Sequence, residues 1–132
     1  MEVENCAEEA VAKMTTDRLK AFGAAWARKD VEELMSFVTD DCIYNASVGP
    51  EPGSTYVGRE AVRRGFEELL KHDARGKSRG GRVLVAGDRG VAEWSYIFTD
   101  DTGREIELKG CDLFEFVGDK ISRKDAYRKT YS

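Results

Sequence analysis

The chain contains 132 residues, of which 41% are hydrophobic and 35% are charged, and its formal net charge is -4. These values predict one globular domain with its own core, and the acidic balance argues against a general nucleic-acid-binding protein. No apolar run is long enough to span a bilayer, and the start MEVENCAEEAVAKM lacks the basic and apolar regions of a signal peptide. We therefore expect a cytoplasmic protein with neither nucleic-acid nor membrane partners.

Cysteine and histidine content restricts the chemistry further. Cys6, Cys42 and Cys111 have no close spacing, which predicts reduced thiols rather than a metal or redox motif. His72 is the only histidine. A multi-histidine metal site is therefore impossible, and a histidine-dependent triad would have to use this residue. Its position at the polar end of a predicted helix favours capping of the last carbonyls. We expect no metal and no cofactor.

The N-terminal part of the chain predicts a tail, two helices and a strand. Residues 1–13 predict a flexible tail, and residues 14–132 predict a single domain. TTDRLKAFGAAWARKD predicts a helix, because its apolar residues recur at helical spacing and a threonine can cap it. DVEELMSF begins with Asp30 and has Glu33 three residues later, which is the spacing of a capping box. DCIYNA then predicts a short strand.

The middle of the chain predicts a loop, a third helix and a linker. SVGPEPGSTYVG holds both prolines of the chain and three glycines, so it predicts a loop. REAVRRGFEELLKH predicts a helix with one apolar face. DARGKSRGGR predicts a flexible basic linker whose charges are solvated.

After the linker the hydrophobic period changes to two, which predicts four strands joined by short turns. These strands are RVLVAG, GVAEWSYIFTDD, REIELKGCDLFEFV and KISRKDAYRKTY. Helices followed by a strand meander predict an α+β fold, in which about three N-terminal helices pack on a curved antiparallel sheet. Such a sheet forms a cone, and the mouth of the cone predicts a central small-molecule pocket.

The order of these elements resembles the SnoaL-like and ketosteroid-isomerase-like group, also called nuclear-transport-factor-two-like. The resemblance runs roughly from Met14 to Tyr131 and is carried by AAWARKDVEELMSFVTDDCIYNAS, YVGREAVRRGF and GCDLFEFVGDKISRKDAY. It implies the cone-shaped fold and a homodimer that forms through the outer sheet face. It leaves the reaction open, because the fold hosts isomerases, epoxide hydrolases, cyclases, dehydratases and non-catalytic binders.

The resemblance to ketosteroid isomerases implies three catalytic positions, of which this chain keeps one. Their acid on a late strand matches Asp112. Their tyrosine falls on Phe22, and their proton-shuttling base falls on Ala46, beside Asn45. The steroid isomerase mechanism is therefore not supported.

The resemblance to limonene-epoxide-hydrolase-like members implies a second set of positions. Tyr44 matches their tyrosine, whereas their asparagine falls on an alanine and their last acid falls on Ala126, one residue past Asp125. A shift of one residue reverses the face of a strand. The middle strand offers Glu93 and Ser95 in place of their arginine and aspartate, so this mechanism is not supported either.

Asp112 is the leading candidate for a catalytic residue, because period two places it on one strand face with Phe114 and Phe116. Such a carboxylate is ion-paired, protonated by desolvation, or placed at the wet end of a pocket. If Lys124 reaches it, the acid is ionised and orients the lysine or binds a cationic group. Without a cation nearby, desolvation raises its pKa and lets it donate a hydrogen bond.

The last strand has two alternative registers. The family register turns Lys124, Ala126 and Arg128 into the pocket. A plain two-residue hairpin at Gly118-Asp119 instead turns Asp125 and Tyr127 inward. The sequence alone does not decide between them.

The preceding strand region also gives two conflicting expectations. Its period places Trp94, Tyr96 and Phe98 on the apolar face, whereas the family threading turns Glu93 and Ser95 inward. Both hold if a second subunit covers the aromatic residues on the outer face, since exposed aromatic faces usually mark a partner. A homodimer through the outer sheet face is therefore expected.

Two functions remain open. The first is a cofactor-free enzyme that acts on a hydrophobic small molecule by general acid–base catalysis, as an isomerase, cyclase, dehydratase or hydrolase. The second is a non-catalytic ligand-binding or dimeric association domain of the same fold. The candidate catalytic residues are Asp112, Tyr44 and Lys124. The candidate substrate-binding residues are Phe22, Trp26, Phe66, Glu93, Phe114 and Arg128.

Overall fold

A computed structural model describes residues 12–129 of the chain. Within this range three helices pack on one curved six-stranded sheet, which confirms the predicted α+β architecture. Most of the predicted tail, residues 1–11, lies outside the described residues. Met14 is buried and its backbone amide donates to the carbonyl of Gly118, so the described domain begins against the last hairpin.

The helices begin where the sequence predicts them. Helix α1 covers Thr16–Arg28, and α2 covers Val31–Met35. The side chains of Thr15 and Asp30 each accept a hydrogen bond from a backbone amide three residues later, at 3.0 and 3.1 Å, and so cap these two helices. Helix α3 covers Arg59–His72 and buries the apolar face that was predicted.

The six strands form one sheet in the order β2-β1-β6-β5-β4-β3. The sheet is antiparallel, as predicted, except that the neighbours β1 and β6 run parallel. The strands are β1 Val38–Asn45, β2 Thr55–Val57, β3 Lys77–Ala86, β4 Arg89–Thr99, β5 Glu105–Val117 and β6 Lys120–Arg128.

Two segments expected to be irregular form strands instead. Strand β2 lies in the predicted loop, where Tyr56 stacks on Tyr44 at a ring distance of 5.8 Å. A Cβ added at Gly65 of α3 would lie 2.6 Å from the Tyr56 ring, so this glycine allows the close approach. The predicted linker joins β3 from Lys77 onwards, because its backbone pairs with β4. Backbone pairing does not depend on side-chain polarity, so the glycine-rich, charged composition of this segment did not predict the strand.

A bulge in β6 resolves the two alternative registers. The Gly118-Asp119 turn is a plain two-residue hairpin, because Val117 pairs with Lys120. The register then shifts by one, leaving Ser122 unpaired, and its hydroxyl donates to the carbonyl of Glu115 at 3.1 Å. Beyond the bulge Lys124 lies opposite Phe114, and Ala126 lies opposite Asp112. The hairpin and the family register are therefore both present.

Candidate functional site

A cavity of about 330 Å³ lies between α1 and the inner faces of strands β3 to β6. Phe22 and Trp26 line it from α1, and Phe114 lines it from β5. Phe22 also packs edge-on against Phe114 at a ring distance of 6.0 Å, which fixes this wall. Three of the four aromatic residues predicted to bind substrate therefore border a cavity.

The register of β4 settles which of its residues face inward. Ala92 pairs with Asp112, and Trp94 pairs with Gly110, so the even-numbered residues of β4 share the face of Asp112. The period-two pattern was therefore right, and the threading that turned Glu93 and Ser95 inward was wrong. Tyr96 is 4% exposed, so it does not belong to an outer face that a second subunit would cover.

Glu93 borders the cavity, but its carboxylate is engaged elsewhere. Arg82 donates to both of its oxygens, at 2.7 and 3.0 Å. The hydrogen bond from Arg82 holds the pKa of Glu93 below its usual range. An acid that is tied up in this way contributes little to a ligand inside the cavity, which weakens its assignment as a substrate-binding residue.

The first buried ion pair joins β5 to β6 at the cavity wall. Lys124 Nζ lies 3.3 Å from Asp112 Oδ2, and the two side chains are only 5% and 11% exposed. The indole nitrogen of Trp94 donates to Asp112 Oδ1 at 3.2 Å. Lys124 Nζ also lies 4.5 Å above the Trp26 ring and 4.8 Å from the Tyr44 ring centre. Of the alternatives for Asp112, the structure therefore shows the ion pair.

A second buried ion pair lies on the same face. Arg128 Nη2 is 3.2 Å from Asp73 Oδ2, and Arg128 Nε donates to Ser47 Oγ at 3.3 Å. The Tyr96 hydroxyl donates to the backbone carbonyl of Asp73 at 2.9 Å. His72 Nδ1 lies 2.8 Å from the other Asp73 oxygen, so His72 contacts a carboxylate rather than capping carbonyls.

Sequence reasoning missed Asp73, although a signal was present. Asp73 follows Phe66, Leu69 and Leu70 at spacings of seven, four and three residues, which places it on the buried face of α3. An acid that extends an apolar helical stripe points to a buried partner. Arg128 is that partner.

Tyr44 and Phe66 lie behind the cavity wall. Tyr44 is fully buried, and its hydroxyl has no hydrogen-bond partner among the described residues. Burial, reinforced by the nearby Asp112 and Asp73, raises the pKa of Tyr44 well above its usual value. Phe66 is 1% exposed and packs on Tyr44 at a ring distance of 5.0 Å, so it acts as a core residue.

The resulting site is an apolar cavity that contains two cations and two carboxylates in pairs. Between residues 12 and 129, no group of three metal-binding side chains comes together. No helix in the same range is long and apolar enough to cross a membrane. The two ion pairs can supply hydrogen bonds to a ligand and can exchange protons with it.

The comparisons with known proteins identify the family. The family model of the SnoaL-like domain matches residues 19–124, which include most of α1, both other helices and most of the sheet. The chain belongs to the SnoaL-like domain family. A search of curated proteins gives no significant match.

Solved structures share the fold of this SnoaL-like domain at low sequence identity. An NTF2-like protein of unknown function from Burkholderia pseudomallei K96243 is 18% identical, with a TM-score of 0.72 over 88% of this chain and 92% of its own. A putative polyketide cyclase from Xanthomonas campestris pv. campestris is 21% identical, with a TM-score of 0.66 over 89% of each chain. TerC, co-crystallised with polyporic acid, is 18% identical, with a TM-score of 0.69 over 86% of this chain and 89% of its own.

Proposed function

We propose that this SnoaL-like domain binds an apolar small molecule with a carbonyl or enol oxygen and acts on it by cofactor-free acid–base catalysis. The observation that carries the proposal is the Asp112–Lys124 pair, which is enclosed in the wall of a partly aromatic cavity. Buried ion pairs contribute little net stability, because both charges lose their hydration. Ligand chemistry therefore explains a pair at this place better than the stability of the fold does.

Each partner has a role in this proposal. The Lys124 ammonium group donates a hydrogen bond to the carbonyl oxygen of the ligand, and the Asp112 carboxylate takes a proton from the adjacent carbon. The C–H electron pair becomes a C=C bond, and the carbonyl π electrons move to oxygen, which gives an enolate that Lys124 stabilises. Asp112 then returns the proton. Isomerisation, cyclisation and dehydration share this first step.

The residues around the ion pair bind the ligand or position the catalytic groups. Arg128 is held by Asp73 through one of its nitrogens, so it retains donors for a second oxygen of the ligand. The Tyr44 ring contacts Lys124 from behind the wall, which makes Tyr44 a positioning residue rather than a catalytic one. Putative polyketide cyclases and a protein co-crystallised with polyporic acid share the fold, which supports an oxygenated organic ligand.

The second candidate is a non-catalytic ligand-binding domain. It is favoured by the two contacts to Asp112, because Lys124 and Trp94 already occupy both carboxylate oxygens. In this case the two ion pairs only orient a bound molecule. A cytoplasmic location is part of both candidates.

Hydrogen–deuterium exchange separates the two candidates. 2-Tetralone is a bicyclic, apolar ketone with exchangeable protons next to its carbonyl. We expect the protein in D2O to accelerate deuterium incorporation into 2-tetralone, as followed by proton NMR. Lys124→Met and Asp112→Asn should lower the rate at least about a hundredfold, since positioned acid–base groups contribute about 10²–10⁴-fold. Glu115→Gln, on the outer face, is the matched control and should keep the rate.

Each result has a definite meaning. Saturable binding of 2-tetralone without protein-dependent exchange would support the binding domain and reject this catalysis. If Lys124→Met and Asp112→Asn still accelerate deuterium incorporation as wild type does, neither residue is catalytic.

We also propose that two copies of the chain pair through the outer sheet face. Trp94, Tyr96 and Phe98 no longer support this dimer, and the support comes instead from the outer face of the sheet, where Leu84, Leu113 and Tyr127 are 64%, 42% and 53% exposed. The same face carries both signs of charge, because Glu115 and Arg123 lie 3.9 Å apart there. A surface with both signs can be self-complementary about a two-fold axis.

A further inference from the structure

We propose that Trp94 is a positioning residue that holds the Asp112 carboxylate in the orientation that proton transfer needs. The inference rests on the proposed function of the Asp112–Lys124 pair, and it adds to that site a residue that the sequence did not single out as functional. Trp94 lines the cavity from β4, but its role is exercised through Asp112 rather than on the reacting atoms themselves.

An ion pair by itself does not fix the orientation of an aspartate carboxylate. Rotation about the last side-chain bond of aspartate is only weakly restricted, because that torsion has broad minima. In this site the two oxygens of Asp112 have different partners. Lys124 Nζ lies 3.3 Å from Oδ2, and the indole nitrogen of Trp94 donates to Oδ1 at 3.2 Å. Two partners on two oxygens fix the plane of the carboxylate.

These two partners still leave Asp112 able to act as a base. An ionised carboxylate offers about four lone-pair sites, so two donors leave about half of them open. Asp112 lines the cavity, and its open lone pairs are therefore available to a ligand there. The bond from Trp94 is compatible with proton transfer, and it determines the direction in which the open lone pairs face.

The strand register places the indole of Trp94 beside Asp112. Trp94 on β4 pairs with Gly110 on β5, and Asp112 lies two residues further along β5 on the same face. Diagonal neighbours of this kind are about 7–8 Å apart, which an aromatic side chain can span. A Cβ added at Gly110 would collide with the Trp94 ring and with the backbone carbonyl of Tyr127. Glycine at this position therefore lets the indole lie against β5.

The second buried ion pair holds the same ring. The guanidinium carbon of Arg128 lies 5.5 Å from the centre of the Trp94 ring, within the range of cation–π attraction. Arg128 is itself held by Asp73 at 3.2 Å. Trp94 thus contacts a member of each ion pair, and its position depends on groups that the surrounding fold fixes.

The inward neighbours of Trp94 on β4 do not supply this hydrogen bond. Ala92 lies opposite Asp112 but has no donor in its side chain. The Tyr96 hydroxyl donates to the backbone carbonyl of Asp73 instead. Loss of the indole N–H would therefore leave Asp112 held by Lys124 alone and free to rotate. Ligand binding should persist, because the cavity and both ion pairs remain, whereas proton transfer should slow.

Removal of a single N–H group tests the inference. Benzothienylalanine has the shape of tryptophan with sulfur in place of the N–H, so Trp94→benzothienylalanine deletes the hydrogen bond and keeps the ring. Trp94→Phe deletes the same donor with a natural residue. The readout is deuterium incorporation into 2-tetralone, measured at increasing ketone concentration. We expect both variants to lower kcat about tenfold and to keep KM within about twofold, because misplacing a reacting group reduces turnover rather than binding.

Tyr127→Phe is the matched control. The Tyr127 hydroxyl donates to Asp125 Oδ2 at 3.4 Å, so it too forms a hydrogen bond from an aromatic side chain to an aspartate of the sheet, but on the exposed outer face. This variant should keep both kcat and KM. Urea denaturation of each variant verifies that the protein is folded in the assay, so that a loss of kcat does not come from unfolding.

The hydrogen bond also has a spectroscopic signature that does not depend on activity. The chain contains two tryptophans, so protein labelled with nitrogen-15 gives two indole N–H signals, and Trp94→Phe identifies the signal of Trp94. Asp112→Asn should move this proton signal upfield, because an amide oxygen is a weaker acceptor than a carboxylate. A Trp94 signal that does not respond to Asp112→Asn would show that the bond is absent, which overturns the inference.

The kinetic outcomes separate this inference from the proposed function. If wild type does not accelerate exchange, the proposed function is wrong and the role of Trp94 is overturned with it. If wild type accelerates exchange and Trp94→benzothienylalanine keeps its kcat, only the role of Trp94 is wrong. A rise in KM with an unchanged kcat would make Trp94 a binding residue, which also overturns the positioning role.

Discussion

Lys124 Nζ and Asp112 Oδ2 lie 3.3 Å apart on neighbouring strands, in a place where both side chains are nearly excluded from solvent. Their strands are held in this register by a single bulge residue, Ser122. The pair therefore depends on long-range strand pairing, and its properties can be measured by removing one or both charges.

Removal of one charge from this pair should destabilise the fold. We expect Asp112→Leu or Lys124→Met to lower the free energy of unfolding by about 3–5 kcal/mol, because the remaining charge stays buried without its partner. The double variant Asp112→Leu/Lys124→Met should recover most of this loss. Urea denaturation of the four proteins measures the coupling.

The outer-face pair of Glu115 and Arg123 is the control for this cycle, because its side chains are 45% and 38% exposed. Its single variants should change stability by less than about 1 kcal/mol. Additive effects of Asp112→Leu and Lys124→Met would show that the two charges do not interact.

Tyr44 should make the stability of the protein fall at alkaline pH. Its folded pKa lies well above the ordinary value of 10.0 because it is buried, so above pH 10 the unfolded state releases a proton that the folded state keeps. Stability is therefore fully present below pH 10 and is lost as the pH rises beyond it, by up to about 1.4 kcal/mol per pH unit. Tyr44→Phe should not show this loss of stability, because phenylalanine has no hydroxyl group to ionise.

Urea denaturation of wild type and Tyr44→Phe at pH 7, 9 and 11 measures the effect. At pH 7 the variant should be at least as stable as wild type, since it removes a buried hydroxyl without a partner. The pKa values of Tyr56 and Tyr96 are also raised, but both residues are present in each protein and cancel in the difference. A stability difference that is constant with pH would contradict the prediction.

Assembly is tested by sedimentation. At micromolar concentration we expect a species of twice 14.8 kDa. Leu113→Glu should convert it to a monomer, because it places a charge at the centre of an exposed apolar face. Leu84→Glu should act in the same way, and Ala21→Glu, exposed on helix α1 rather than on the sheet, is the control. A wild-type monomer rejects the dimer.

His72 should contribute little to the stability of the fold, whereas Asp73 should contribute several kcal/mol. The His72 side chain is 60% exposed, so His72→Gln should cost less than about 1 kcal/mol. Asp73→Ala leaves Arg128 buried without its carboxylate and should cost about 3–5 kcal/mol, which Arg128→Met in the same chain should partly restore. Thermal unfolding measures all of them; a large effect of His72→Gln would give the histidine a role that its exposure does not predict.

The sequence by itself determined the three helices and most of the strands, and it left the inward faces of β4 and β6 open. The caps at Thr15 and Asp30 follow from local hydrogen bonds between neighbouring residues, which sequence spacing describes directly. Two sequence arguments conflicted over β4, and the pairing of β4 with β5 agrees with the period-two pattern, which put Trp94 and Tyr96 on one apolar face. The family and its fold were also recognised, because the order of elements is written along the chain.

Only the tertiary structure decided which side chains form ion pairs and which segments pair as strands. Period two counts residues along one strand, so it carries no information about a bulge, and Ser122 shifts the phase that turns Lys124 and Arg128 inward. The partner of Arg128 comes from a helix 55 residues away, and local pattern does not encode that distance. Backbone pairing made a strand of a segment whose glycines and charges are typical of a linker. These features depend on which chain segments meet, and that is fixed only when the whole core packs.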